Sequence, residues 1–241
     1  MVVIQIGFEY LLEFSLKPWR KLSAPFRTQT VDRHSEVEAK FDASKVSLKQ
    51  YHDFISGQSG EFINTKVVRI DAYKAVSGKD TYYDLNGSKL RYREGDMAGG
   101  ELTYKQRKSD KSIADRVEIN LPFSGKVSPN DVHTMIDYLG GKEVFNIQKT
   151  SYIYHVTGQM TADNVGDPRY IAVLALYDVT DEDGKTRRFL EVEIEASSPC
   201  TVEVGRKALD RWIRIVKNGL EVEGPINESL FEIYSKGKQT K

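Results

Sequence analysis

From Ser35 onward apolar and polar residues alternate with a period of two, the mark of strands whose two faces meet different surroundings. The alternation predicts strands over 35–42, 66–73, 79–85, 88–94, 100–108, 115–121, 144–157, 169–180 and 187–197. Helical spacing takes over in four places. A helix is expected over 47–56 after Ser47, and another over 129–139, where Ser128-Pro129 opens it and Gly140-Gly141 ends it. Val204, Ala208, Trp212, Ile215 and Val216 fall on one face of a helix over 203–218, and a short last helix is expected over 226–236. Many strands with few interspersed helices predict an antiparallel α+β domain built on a sandwich or barrel, not a doubly wound sheet. Residues 1–30 do not share this pattern and read as an extension packed on a main domain of 31–241; there is no internal repeat.

The polar faces of these strands carry a pattern of their own. In Glu36-Val37-Glu38-Ala39-Lys40-Phe41 the charged residues share one face and the apolar ones the other. Glu191, Glu193 and Glu195 repeat the arrangement between Val192, Ile194 and Ala196. Like charges on one strand face repel unless a cation neutralises them. Between the acidic strands lie basic ones, with Lys89, Arg91 and Arg93, then Lys105 and Arg107, then Arg116 two residues before Glu118. Residues 89–116 hold eight Lys+Arg against five Asp+Glu, and 178–195 hold seven acids against three bases, so charge sign is segregated by strand.

Composition narrows what this segregation means. The 241 residues carry 35 Lys+Arg and 35 Asp+Glu, so no bulk field draws the molecule to DNA or an anionic membrane. The single cysteine, Cys200, excludes an internal disulfide framework and fits a reducing, cytoplasmic setting. Val2–Leu16 is interrupted by Gln5, Glu9 and Glu13, too short and too polar to span a bilayer. If the charged faces point outward, they are an ordinary solvated surface. If they point into a closed barrel, the lumen has an acidic and a basic wall, and a polyanion with divalent cations satisfies both.

These residues resemble the CYTH, or triphosphate tunnel metalloenzyme, superfamily. Glu36-x-Glu38-x-Lys40 is similar to its ExExK signature. The likeness continues through Asp80-Thr81-Tyr82-Tyr83-Asp84 before Leu90-Arg91-Tyr92-Arg93, Glu101-Leu102-Thr103-Tyr104-Lys105, Arg116-Val117-Glu118, Lys149, and Phe189-Leu190-Glu191-Val192-Glu193. Ser229-Leu230-Phe231-Glu232-Ile233-Tyr234 looks like the family's closing helix. The resemblance implies a closed eight-stranded antiparallel barrel with flanking helices, a tunnel for triphosphate, and Mg²⁺- or Mn²⁺-dependent chemistry. Carried over, Glu36, Glu38, Glu191 and Glu193 are metal carboxylates with Glu195 as a fifth, and Lys40, Arg91, Arg93, Lys105, Arg116 and Lys149 hold phosphates. Glu36, Glu38, Lys40 and Glu118 would take the catalytic parts, with a second metal or one of Glu36, Glu38 and Glu118 orienting the water. Ser151 stands where the family often has the Arg of a Lys-x-Arg pair, which leaves Arg107 or Arg187 as substitutes.

The activity implied is hydrolysis of inorganic triphosphate, a nucleoside triphosphate, thiamine triphosphate or an RNA 5′ end, by a monomer or homodimer with no membrane partner. The alternatives are an adenylate cyclase using the same tunnel and a non-catalytic polyphosphate- or nucleotide-binding module. Gly184-Lys185-Thr186 imitates the end of a phosphate-binding loop, but Val179 replaces its first glycine, so it reads as a hairpin turn. His34, His52, His133 and His155 are scattered, and Trp212 reads as core.

Overall fold

The computed structural model describes residues 35–58, 61–62, 65–71, 73–95, 100–107, 116–123, 127–160, 169–195 and 202–236. The extension expected over 1–30 lies outside them. So do Cys200 and the side chains of Glu36, Lys105, Arg107, Arg116, Glu118 and Glu195. The described strands are β1 (Ser35–Asp42), β2 (Glu61–Phe62), β3 (Thr65–Ile70), β4 (Lys74–Leu85), β5 (Ser88–Gly95), β6 (Glu101–Arg107), β7 (Arg116–Pro122), β8 (Gly141–Met160), β9 (Arg169–Thr180), β10 (Thr186–Glu195) and β11 (Glu223–Ile226). The described helices are α1 (Leu48–Ser56), α2 (Pro129–Tyr138), α3 (Val202–Gly219) and α4 (Leu230–Ser235).

The strands form one antiparallel sheet in the order β2-β3-β8-β4-β5-β6-β7-β1-β10-β9, with β11 on β1. β9, at the end of this path, also pairs with β8, from Gln148 opposite Thr180 to Gln159 opposite Arg169. The α+β class is therefore as expected, with flanking helices. The sheet has more strands than the eight implied, because short β2, β3 and β11 join it at its margins.

Hairpin register follows turn chemistry. Asn86 and Gly87 both have positive φ, 52° and 82°, the two-residue turn whose twist matches the flanking strands. It sets Leu85 opposite Ser88 and, counting outward, Tyr82 opposite Arg91 and Asp80 opposite Arg93.

Three apolar clusters cover the sheet. The largest packs Val37, Ala39 and Phe41 of β1 and Leu190, Val192 and Ile194 of β10 with Trp212, Ala208 and Val216 of α3 and with Tyr51 and Ile55 of α1. Trp212 is fully buried, and its indole N–H donates to the Tyr170 hydroxyl at 3.1 Å. Ser47 caps α1 reciprocally with Gln50. On β5, Leu90 and Tyr92 pack under Val132 and Ile136 of α2. The third cluster joins Tyr82, Phe145, Ile147, Tyr177 and Phe189 to Leu230 of α4.

Three sequence expectations need correction. β8 runs 20 residues because β3 and β9 satisfy its backbone past the end of the alternation, and Gly158 lies where a side chain would strike the Tyr170 ring. The last helix begins at Leu230, capped by Ser229 with Glu232, and Ile226 instead pairs with Lys40 as part of β11. The strand expected over 66–73 ends at Ile70. The lookalike at Gly184-Lys185-Thr186 is a turn in which Asp181 Oδ1 accepts from the Asp183 and Lys185 amides.

Candidate functional site

The polar faces of the central strands border one cavity of about 560 Å³. Its acidic side comes from β1 and β10, which supply Glu38, Lys40, Glu191 and Glu193. Register sets Glu38 opposite Glu193 and Lys40 opposite Glu191. Opposed residues of neighbouring strands lie about 4.5–5.5 Å apart at Cβ, so two carboxylates face each other beside a carboxylate–ammonium pair. Lys40 is 6% exposed, which makes its neighbouring charge necessary. Glu36 continues the register opposite Glu195 on one side and Arg116 on the other.

The basic side comes from Arg91 and Arg93 of β5 and Lys149 of β8. Arg93 is held by Asp80, a carboxylate outside the residues expected at the site. Asp80 is fully buried, and its two oxygens accept from Arg93 Nε at 2.6 Å and Nη2 at 2.7 Å. Burial alone would raise the Asp80 carboxyl, but the Arg93 fork, with Arg91 and Lys149 nearby, holds it below the ordinary carboxylate range. The signal was present in the sequence: counting back from Asn86-Gly87 puts Asp80 across from Arg93. Arg91 Nη2 lies 2.8 Å from Thr103 Oγ1 and 3.3 Å from Glu101 Oε1, and Thr103 reaches Asn120 at 2.8 Å.

Lys149, the basic side's residue from β8, feels charges of both signs. Its ammonium sits 3.8 Å from the Tyr177 ring centroid. Burial, assisted by Arg93, pushes it down to about 7 against the pull of Glu191 and Asp80. Tyr177 moves the other way: burial, then the Glu191 and Glu38 carboxylates, raise its hydroxyl well above the usual range. One end of the cavity is bordered by Tyr82 and by Leu230, Phe231 and Glu232 of α4, with Lys89 4.4 Å from the Phe231 centroid and 3.9 Å from Glu232.

Glu38, Lys40, Arg91, Arg93, Lys149, Glu191 and Glu193 are thus brought together. Arg187 is placed elsewhere, 3.7 Å from Asp42 and over the Phe189 ring. Lys105 pairs in register with Lys89 and Glu118, and Arg107 with Arg116. Among the described residues, no three His, Cys, Asp or Glu side chains gather closely enough to hold a metal between them. No described helix is long and apolar enough to cross a membrane.

The family model described as CYTH domain matches residues 34–218, which span every strand bordering this cavity. The chain belongs to the CYTH family. Family membership supports enzymatic activity on triphosphates in general. Among solved structures, the CYTH chain is similar to the PH1819 protein of Pyrococcus horikoshii OT3, at 18% identity and TM-score 0.52, covering 84% of this chain and 99% of that one. It also matches the S. pombe Pct1 RNA triphosphatase in complex with the Spt5 CTD, at 13% identity and TM-score 0.36, covering 89% and 90%. The first likeness concerns fold alone. No curated protein matches the CYTH chain.

Proposed function

We propose that this CYTH chain is a divalent-metal-dependent triphosphatase that takes its substrate between the acidic and basic sides of the cavity. The observation that carries the reading is the opposition of Glu38, Glu191 and Glu193 to Arg91, Arg93 and Lys149 around one space. In this reading eight strands, taken from β8 through β4, β5, β6, β7, β1 and β10 to β9 and back through the β8–β9 pairing, form the tunnel wall. Eight strands leave room for side chains and one small ligand.

The donor set suits Mg²⁺ or Mn²⁺. Hard divalent ions bind through one or two carboxylates plus substrate phosphates, and Glu38 facing Glu193 is such a pair. Glu36, Glu191 and Glu195 extend the donor set along the same two strands. When bound, the metal supplies charge neutralisation on the transferred phosphoryl group. Arg91, Arg93 and Lys149, with Lys40 and the register positions of Lys105 and Arg116, bind non-bridging oxygens and stabilise the leaving phosphate. Glu38, Glu36 or Glu118 orients the attacking water and accepts its proton. Asp80 keeps the Arg93 fork aimed while Arg93 grips substrate. The single cysteine supports a cytoplasmic site of action.

The test is product analysis with purified protein over inorganic triphosphate, ATP, thiamine triphosphate and triphosphorylated RNA, each with Mg²⁺ or Mn²⁺. Metal-dependent orthophosphate release is expected. Pyrophosphate with a cyclic nucleotide would make the chain a cyclase, and tight binding without turnover would make it a binding module.

A further inference from the structure

We infer that Asn120 of β7 is a further substrate-binding residue, an uncharged donor that completes the basic side of the cavity; the inference rests on the triphosphate reading above. Register lays a polar row across three neighbouring strands. Arg91 of β5 stands opposite Thr103 of β6, and Thr103 stands opposite Asn120. All three border the cavity. No expectation from the sequence included Asn120, because an amide two residues past Glu118 carries no charge for segregation by strand to reveal.

The hydrogen bonds along this row fix which way the amide faces. A guanidinium only donates, so Thr103 Oγ1 accepts from Arg91 Nη2 at 2.8 Å. The hydroxyl has one proton to give, and its shorter contact is Asn120 Oδ1 at 2.8 Å, against Glu101 Oε1 at 3.2 Å. Thr103 is fully buried, so this donor is held in place. Asn120 Oδ1 is thereby committed to Thr103. Its two Nδ2 hydrogens have no partner among the described residues and are left for the space that Asn120 borders. A triphosphate lying between the two sides brings non-bridging oxygens there, and charged oxygens accept strongly from N–H donors. An amide supplies that contact without another positive charge beside Arg91, Arg93 and Lys149, whose charges already oppose one another at Lys149. Thr103 is the positioning residue of the pair, acting on substrate through the amide it orients.

The experiment measures KM and kcat/KM with Mg²⁺ for inorganic triphosphate and ATP, and their binding by calorimetry. The proteins are the wild type, Asn120→Ala, Asn120→Asp, Thr103→Val and Thr103→Ser. Loss of one charge-assisted contact is expected to weaken binding in Asn120→Ala by about ten- to a hundredfold. Asn120→Asp keeps an oxygen for Thr103 and puts a carboxylate where the amide donated. It is therefore expected to lose more affinity than Asn120→Ala while its thermal midpoint is at least as high. A residue that only supports the fold gives the opposite order. Thr103→Val is expected to weaken binding and Thr103→Ser to restore it, and Thr103→Val combined with Asn120→Ala should lose less than the product of the single losses. Wild-type affinity in both Asn120 variants, or a smaller loss in Asn120→Asp than in Asn120→Ala, overturns the inference and leaves the triphosphate reading standing. A wild type that neither binds nor turns over either compound overturns that reading, and the inference with it.

Discussion

Strands β1 and β10 have two faces one peptide apart that follow opposite physics. The outer face, Val37, Ala39 and Phe41 with Leu190, Val192 and Ile194, is sealed under α3 and leaves at most 5% of any residue exposed. The inner face, Glu38 and Lys40 with Glu191 and Glu193, borders the cavity and sets carboxylate against carboxylate. One face stabilises the fold through burial; the other concentrates charge along the cavity of the candidate site. Substitutions on the two faces should therefore separate stability from activity.

The largest separation is expected at the inner face. Glu38→Ala and Glu193→Ala should each lower metal-dependent phosphate release by about 10²- to 10³-fold or more. Relief of like-charge repulsion should leave the thermal midpoint unchanged or higher. Parallel kinetics and thermal unfolding check both halves, and normal turnover in either variant would remove that residue from the metal site.

The mirror experiment is on the outer face. Phe41→Ala opens a void beneath α3 and should cost about 3–5 kcal/mol in denaturant unfolding, while turnover per folded molecule stays near that of the wild type. Loss of specific activity in the folded fraction would mean the two faces are not separable.

Asp80 tests whether the basic side needs support from behind. Asp80→Ala leaves the Arg93 guanidinium without its buried partner and should cost about 3 kcal/mol, less than a fully buried pair because Arg93 reaches the cavity. Asp80 titrates low in the folded protein, so its contribution is present above the unfolded carboxylate pKa near 3.9 and lost as pH falls through the folded value. The stability gap between wild type and Asp80→Asn should therefore narrow in acid, as pH-dependent unfolding would record.

A smaller effect concerns Lys149. Its folded value of about 7 lies below the ordinary 10.5, so between these pH values the unfolded chain binds more protons and native stability rises with pH. Triphosphate needs the ammonium form, so affinity should fall by up to tenfold per pH unit above 7, with proton uptake on binding. Calorimetry at pH 8 in buffers of different ionisation enthalpy should show that uptake, and Lys149→Met should abolish it.

Period-two alternation made most of the sheet legible, because strands that cover an apolar layer and line a polar space write both environments into successive residues. The closing of the hairpin by Asn86-Gly87 was equally readable. β2 and β11 were not, since two- and four-residue strands, one of them containing Pro225, are too short to show a period. The last residues of β8, past the expected end at 157, were hidden for another reason: Gly158 and Gln159 are held by pairing with β3 and β9, not by burial of alternate side chains. Charge segregation by strand pointed to Glu38, Glu191, Glu193, Arg91 and Arg93, all of which border the cavity. Asp80 escaped because an acid between Lys79 and Thr81 reads as an ordinary polar strand position until register pairs it with Arg93. The placement of Arg187 beside Asp42 was likewise a matter of tertiary contact that no spacing records.

In this division of labour one side of the cavity binds metal and the other binds phosphate. Calorimetric titration of Mn²⁺, followed by inorganic triphosphate, into wild type, Glu38→Ala and Arg91→Ala tests it most directly. Glu38→Ala should lose Mn²⁺ affinity first. Arg91→Ala should bind Mn²⁺ like the wild type and lose about 1.5–3 kcal/mol of triphosphate binding, with Arg91→Lys recovering only part. If Arg91→Ala binds triphosphate normally, or Glu38→Ala binds Mn²⁺ normally, the two sides do not divide the work between metal and phosphate.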